Sequence, residues 1–191
     1  MDIKFKFLFT TLFTTLFTTL FLTILSSPAH AYLTACQLVA ENAGKSYQAK
    51  PNRFASIVPP KELPESMQTT LIERNGMWFI YQTNEEQFDK LECAPQTRDG
   101  IEIAPVVYNK TSGHNAVVNG VFAIKTFNEK DIHLVANNYN FKKITQLPNR
   151  FTAIFDVKPQ SSYDELIKKL QQDKDIEKYI PLLSEPRYRT R

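Results

Sequence analysis

Histidine, cysteine, tryptophan and glycine are all scarce in this chain of 191 residues, at three, two, one and five. With so few histidines, a Ser-His-Asp enzyme has little to work with. Outside the leader it would depend on His114, in a polar Asn/Ser/Gly stretch, or on His133, on the outer side of a short helix beside Asp131. Both read as solvated surface residues, and no Gly-x-Ser-x-Gly elbow is present. Histidines so far apart, with a single pair of cysteines, give no metal-ligand spacing. Nor does one sign of charge dominate: 23 Lys and Arg against 20 Asp and Glu leave +3, too little to argue for nucleic acid or an anionic membrane as partner. Glu85-Glu86 and Asp173-Lys174-Asp175 are scattered surface charges. The composition therefore points to a binding protein, with no catalytic residue, metal or cofactor expected.

The N-terminus is distinctive. Lys4 and Lys6 precede an apolar, Thr-rich run from Phe7 to Leu25, and Pro28 is followed by Ala29-His30-Ala31. A positive start, an apolar core and an A-x-A site make a secretory signal peptide, with cleavage expected after Ala31 at the Ala29/Ala31 pattern. The alternatives are a retained anchor, which the threonines and the Pro argue against, and lipid attachment at Cys36 through Leu33-Thr34-Ala35-Cys36. Cleavage would remove Lys4, Lys6 and Asp2, lowering the charge of +3 by one. The expected location is the periplasm or the exterior of a Gram-negative cell. There the two cysteines, Cys36 and Cys93, are expected to pair in a disulfide.

Between residues 32 and 115 the pattern is mixed. Leu33 to Asn42 has the spacing of a short helix ended by Gly44, and Pro51, Pro59, Pro60 and Pro64 leave room for a short strand at Phe54 to Val58. Thr69 to Tyr81, with Asn75-Gly76 at its centre, predicts a β-hairpin. Trp78, Phe79 and Tyr81 there read as core, with Trp78 available to a partner. Glu85 to Leu91 suggests a helical turn, and Ile101 to Tyr108 a strand. Asn109 to Asn115 has the composition of a linker, where a domain boundary is expected.

Beyond it the order is regular. Strands are predicted over Val117 to Phe127, Phe141 to Leu147, Arg150 to Val157 and Ile176 to Leu182. Helices are predicted over Glu129 to Asn138 and Ser162 to Asp173, the second opened by the capping box Ser162-Tyr163-Asp164-Glu165. The order β-α-β-β-α-β is that of a ferredoxin-like sandwich, with helices on one sheet face and the other face open. The expected fold class is thus α+β: a signal peptide over 1–31, a smaller mixed α+β domain over 32–115, a ferredoxin-like βαββαβ domain over 116–183 and an extended tail over 184–191.

Val121-Phe122-Ala123-Ile124-Lys125, Phe141-Lys142-Lys143-Ile144, Leu147-Pro148-Asn149-Arg150-Phe151 and Asp175-Ile176-Glu177-Lys178-Tyr179-Ile180-Pro181 carry a resemblance. The run from about Val117 to Arg191 resembles the propeptides of subtilisin-like proteases. With no protease domain following, the chain is similar to the external chaperones of Aeromonas-type, kexin-like serine proteases. The resemblance implies a chaperone and inhibitor in a 1:1 complex with a secreted subtilisin/kexin-like serine protease. Its open sheet face would lie on paired helices of the enzyme, and its tail would enter the active-site cleft as an added strand. Arg187, Tyr188, Arg189, Thr190 and Arg191 would be the contact residues, with Arg191 in an acidic primary pocket and no bond beyond it to cleave. The alternative is an envelope protein, soluble or lipid-anchored, whose ferredoxin-like half binds a partner other than a protease.

Overall fold

β-Strands dominate the computed structural model, which describes residues 35–44, 46–83, 93–157, 159 and 161–186. In chain order these are α1 (Gln37–Ala43), β1 (Tyr47–Ser56), β2 (Thr69–Asn75), β3 (Trp78–Thr83), β4 (Gln96–Arg98), β5 (Ile101–Asn109), β6 (Asn115–Thr126), α2 (Asp131–Asn138), β7 (Lys142–Gln146), β8 (Thr152–Asp156), α3 (Tyr163–Gln172) and β9 (Ile176–Ser184). Two short 3₁₀ turns, Pro60–Glu62 and Glu65–Met67, link β1 to β2.

Local chemistry explains most of these elements. Ser162 caps α3, its hydroxyl accepting the Glu165 N–H. Apolar residues at Leu166, Ile167 and Leu170 bury one face of that helix. Gly44 ends α1, as expected. The predicted hairpin forms between β2 and β3, but one residue later than the sequence suggests. Asn75 pairs with Trp78, so Gly76, at φ +60°, and Met77 make the turn. A second hairpin, absent from the sequence reading, joins β4 to β5 through Asp99 and Gly100, both at positive φ.

The expected fold is corrected. The elements from residue 115 to 184 follow the order β-α-β-β-α-β, but they do not make a ferredoxin-like domain beside a smaller α+β one. All nine described strands belong to one antiparallel sheet, running β2-β3-β1-β5-β6-β8-β7, with β4 beside β5 and β9 beside β6. The cause is the length of β6. Its first residues, Asn115 to Val117, pair with β5, and Val121 to Lys125 pair with β8. On its other edge β9 runs beside it from Thr126 back to Val117. One strand thus threads the position read as a domain boundary, and the described residues on both sides of it belong to one compact unit. The supposed linker is a tight loop: Asn109 N–H donates to His114 O at 2.8 Å, and Asn109 Oδ1 accepts from the N–H groups of Thr111 and Ser112.

Gly120 sits where β6 changes partner from β5 to β8. It has φ +79°, and a Cβ there would lie 2.7 Å from Tyr163 Oη and 2.8 Å from the Val157 carbonyl oxygen. Only glycine fits this crossing. The largest core joins sheet and helices through Phe122, Ile124, Phe155, Ile132, Val135 and Ile167, all buried. Phe54, Met67, Tyr81 and Ile103 form a second cluster around the N-terminal strands, which confirms the core reading of Tyr81; Trp78 is partly buried against a third.

Candidate docking face and tail root

Alternation along β6, β8 and β9 sorts the side chains to two faces. Phe122, Ile124, Ala153 and Phe155 point to the helices and are buried. The opposite parity carries Val121 and Ala123 from β6, Ile154 from β8, and Ile180 and Leu182 from β9. Register places them side by side, because Ala123 pairs with both Ile154 and Ile180, and Val121 with Leu182. Val121, Ala123, Ile154 and Ile180 are half-buried, and Leu182 is exposed. Ile144 of β7 is exposed as well. Lys125 lies at one end of the patch, with its ammonium 2.6 Å from Glu177 Oε1.

β9 leads from this face to the C-terminal tail. Ser184 pairs with Val117, and the Glu185 carboxylate Oε1 accepts the Tyr47 hydroxyl at 2.8 Å and the Asn109 side-chain N–H at 2.9 Å. Burial, and next the neighbouring Glu185 carboxylate, push the Tyr47 phenol up to about 12. It therefore stays a proton donor at neutral pH. The contact residues expected of the tail, Arg187, Tyr188, Arg189, Thr190 and Arg191, lie outside the described residues. So do the cleavage-site residues Ala29 and Ala31 and the helical turn expected at Glu85 to Leu91.

The expected disulfide is present. Cys36 and Cys93 are bonded, and both are buried. With its sulfur in that bond, Cys36 has none left for a lipid thioether. Both cysteines sit against the start of α3, where Cys93 O accepts the Tyr163 N–H at 2.6 Å and Cys36 N–H donates to Asp164 Oδ2 at 2.9 Å.

A polar cluster that the sequence did not reveal closes the other end of the β5–β6 loop. Glu73 Oε1 lies 2.7 Å from His114 Nδ1, and its Oε2 accepts from the Asn115 backbone and side-chain N–H groups at 3.0 and 2.5 Å. Arg53 Nη1 donates to Asn115 Oδ1 at 2.6 Å, and Asn75 Nδ2 to Asn115 O at 2.7 Å. Burial raises the Glu73 pKa. The Asn115 N–H groups and His114 outweigh it, so the net shift is downward. The cluster ties β1, β2 and β6 together. His114, expected in a solvated linker, is one of its members.

Near His133, the buried Asp131 accepts from Asn128 Nδ2 at 2.8 Å. Among the described residues no group of His, Cys, Asp and Glu could hold a metal ion, and no helix is long and apolar enough to cross a membrane. No protein-family model, curated protein or solved structure matches the chain.

Proposed function

We propose that this chain is an exported chaperone and tight-binding inhibitor of a secreted subtilisin-like serine protease that lacks its own propeptide. The observation that carries the reading is the outward apolar patch of Val121, Ala123, Ile154, Ile180 and Leu182, on a sheet whose last strand leads directly into the tail. Partner helices lie on this face, and the segment from Arg187 to Arg191 enters the cleft as an added strand. Main-chain hydrogen bonds hold it there. Arg191 fills an acidic primary pocket, and Tyr188, three positions before it, an apolar one. Arg187 and Arg189 share a side with Arg191, because extended side chains alternate.

Assistance of folding follows from the same contacts. A partner whose parallel sheet rests on distant contacts folds slowly. A preformed surface that binds only native-like helices lowers the free energy of states in which those helices are already placed. Binding that persists after folding is inhibition.

Two variants test the reading through separate contacts. Deleting residues 187–191 removes the cleft segment, and Ile154→Asp puts a charge in the centre of the outward patch. Each is expected to lower the yield of active protease on co-expression and to weaken inhibition of the purified enzyme. Undiminished yield and inhibition with both variants would sink the proposal.

A further inference from the structure

The chain passes from sheet to tail at Glu185, whose carboxylate is held from the N-terminal half. Its two donors, Tyr47 and Asn109, begin β1 and end β5, and they pair with each other in register. They converge on one oxygen of a residue 138 and 76 positions away in sequence. The Asn109 amide has no freedom to turn, because its Oδ1 already accepts the Thr111 and Ser112 N–H groups, so its Nδ2 faces Glu185. Among the described residues the partners of Glu185 are these neutral donors. Pro186 follows immediately; its ring restricts Glu185 to extended backbone and fixes its own φ.

We infer that Tyr47 and Asn109 form a latch on Glu185 that sets where, and in which direction, the tail leaves the sheet. The inference rests on the reading of residues 187–191 as the cleft-binding segment. It gives the N-terminal half a task, because β1 and the β5–β6 loop then aim the inhibitory strand. Glu185, Tyr47 and Asn109 act through the tail and are positioning residues. A strand held at its root loses less freedom on docking than one that swings freely, and releasing it costs about tenfold in affinity.

The test measures inhibition of a purified subtilisin-family protease that cleaves after arginine, using the full chain. Glu185→Ala is expected to inhibit about tenfold more weakly. Tyr47→Phe should move in the same direction. Glu185→Gln keeps an acceptor oxygen and is expected to fall between Ala and the natural residue. In a chain lacking residues 187–191, Glu185→Ala should make no further difference. An equal loss there, or none in the full chain, overturns the latch. A second readout needs no protease: amide exchange at Ser184, the last paired residue of β9, should quicken in Glu185→Ala while the melting temperature holds. Unchanged exchange overturns the latch even where the functional reading stands. A natural chain that inhibits no such protease overturns the functional reading, and the exchange measurement still decides the latch.

Discussion

The carboxylate of Asp164, in the first turn of α3, accepts the backbone N–H of Cys36 at 2.9 Å across 128 positions of sequence. Its other oxygen accepts the Val39 N–H at 3.1 Å. A side chain of one helix thus caps the start of another, satisfying donors that α1 leaves without intrahelical partners. Burial raises the Asp164 pKa, and the backbone N–H groups of Val39, Cys36 and Leu38 only partly offset this.

The substitution Asp164→Asn separates charge from geometry. It removes the desolvated charge but turns one acceptor into a donor facing an N–H. Loss of that bond is expected to cost about 1–3 kcal/mol, because an amide proton is left buried without a partner. Denaturant unfolding at neutral pH measures it. An unchanged midpoint would show that water replaces the carboxylate. Since the folded state of the natural chain holds the Asp164 proton more tightly than the unfolded state, this group makes stability fall as pH rises from the ordinary 3.8 through its raised folded value. The Asn variant should lack that component.

The disulfide anchors the same junction. Its cysteines are separated by 57 positions, and closing a loop of that length is worth about 4 kcal/mol in the chain-entropy model. Cys36→Ser with Cys93→Ser should lose about that much, read from the shift in urea midpoint at constant slope. Amide exchange should quicken first at Val39 and Tyr163, whose N–H groups depend on the junction. Uniform quickening over the whole sheet would show that the bond acts only through the unfolded chain.

What was legible in the sequence follows from the range of the forces that write it. Ala153, Phe155 and Val157 alternate because one face of a strand is buried, although Phe151, two positions earlier, is exposed, and Ser162 stands where a helix needs a cap, so β8 and α3 were readable locally. The Cys36–Cys93 pair followed from counting and compartment. Pro51 argued against a long strand, yet β1 runs through it, with the irregularity absorbed where the register slips between Ala49 and Phe54. β4 is too short to show a period. Asn109 to Asn115 has the composition of both a linker and a tight loop, and only the pairing of Val106 with Val117 tells them apart. That ambiguity produced the mistaken domain boundary and fold class. The Glu185 latch and the Glu73–His114 cluster join residues that no local pattern connects.

Gly120 offers a sharper stability test than any core truncation. Gly120→Ala places a methyl group within 2.8 Å of the Val157 carbonyl oxygen, a backbone atom that cannot swing aside, at a positive φ that alanine resists. The expected loss is about 2 kcal/mol or more, roughly a 6 °C fall in melting temperature for a chain of this size. Adding Tyr163→Phe removes the nearer oxygen but not the backbone contact, so rescue should be partial. Full rescue would place all the strain on the tyrosine hydroxyl.

Acid should act on the chain through Glu73. Its folded pKa lies below the ordinary 4.5, since the Asn115 N–H groups and His114 favour the carboxylate by more than burial opposes it. The unfolded state therefore binds this proton more readily. The stabilisation is fully present above the ordinary value and drains away as pH falls from there through the folded value. Glu73→Gln cannot titrate, so it should be less stable than the natural chain at neutral pH, and the gap should narrow below the ordinary value. The substitution also removes the charged partner of His114, whose Nδ1 lies 2.7 Å from Oε1, and one acceptor for the Asn115 donors. A loss of about 1–3 kcal/mol at neutral pH is expected for a charge-assisted network of this kind. Urea unfolding of both proteins between neutral pH and pH ~3 decides the matter. Parallel stability curves across that range would show that the carboxylate has the same proton affinity folded and unfolded, and that the β1–β2–β6 clamp owes its strength to shape alone.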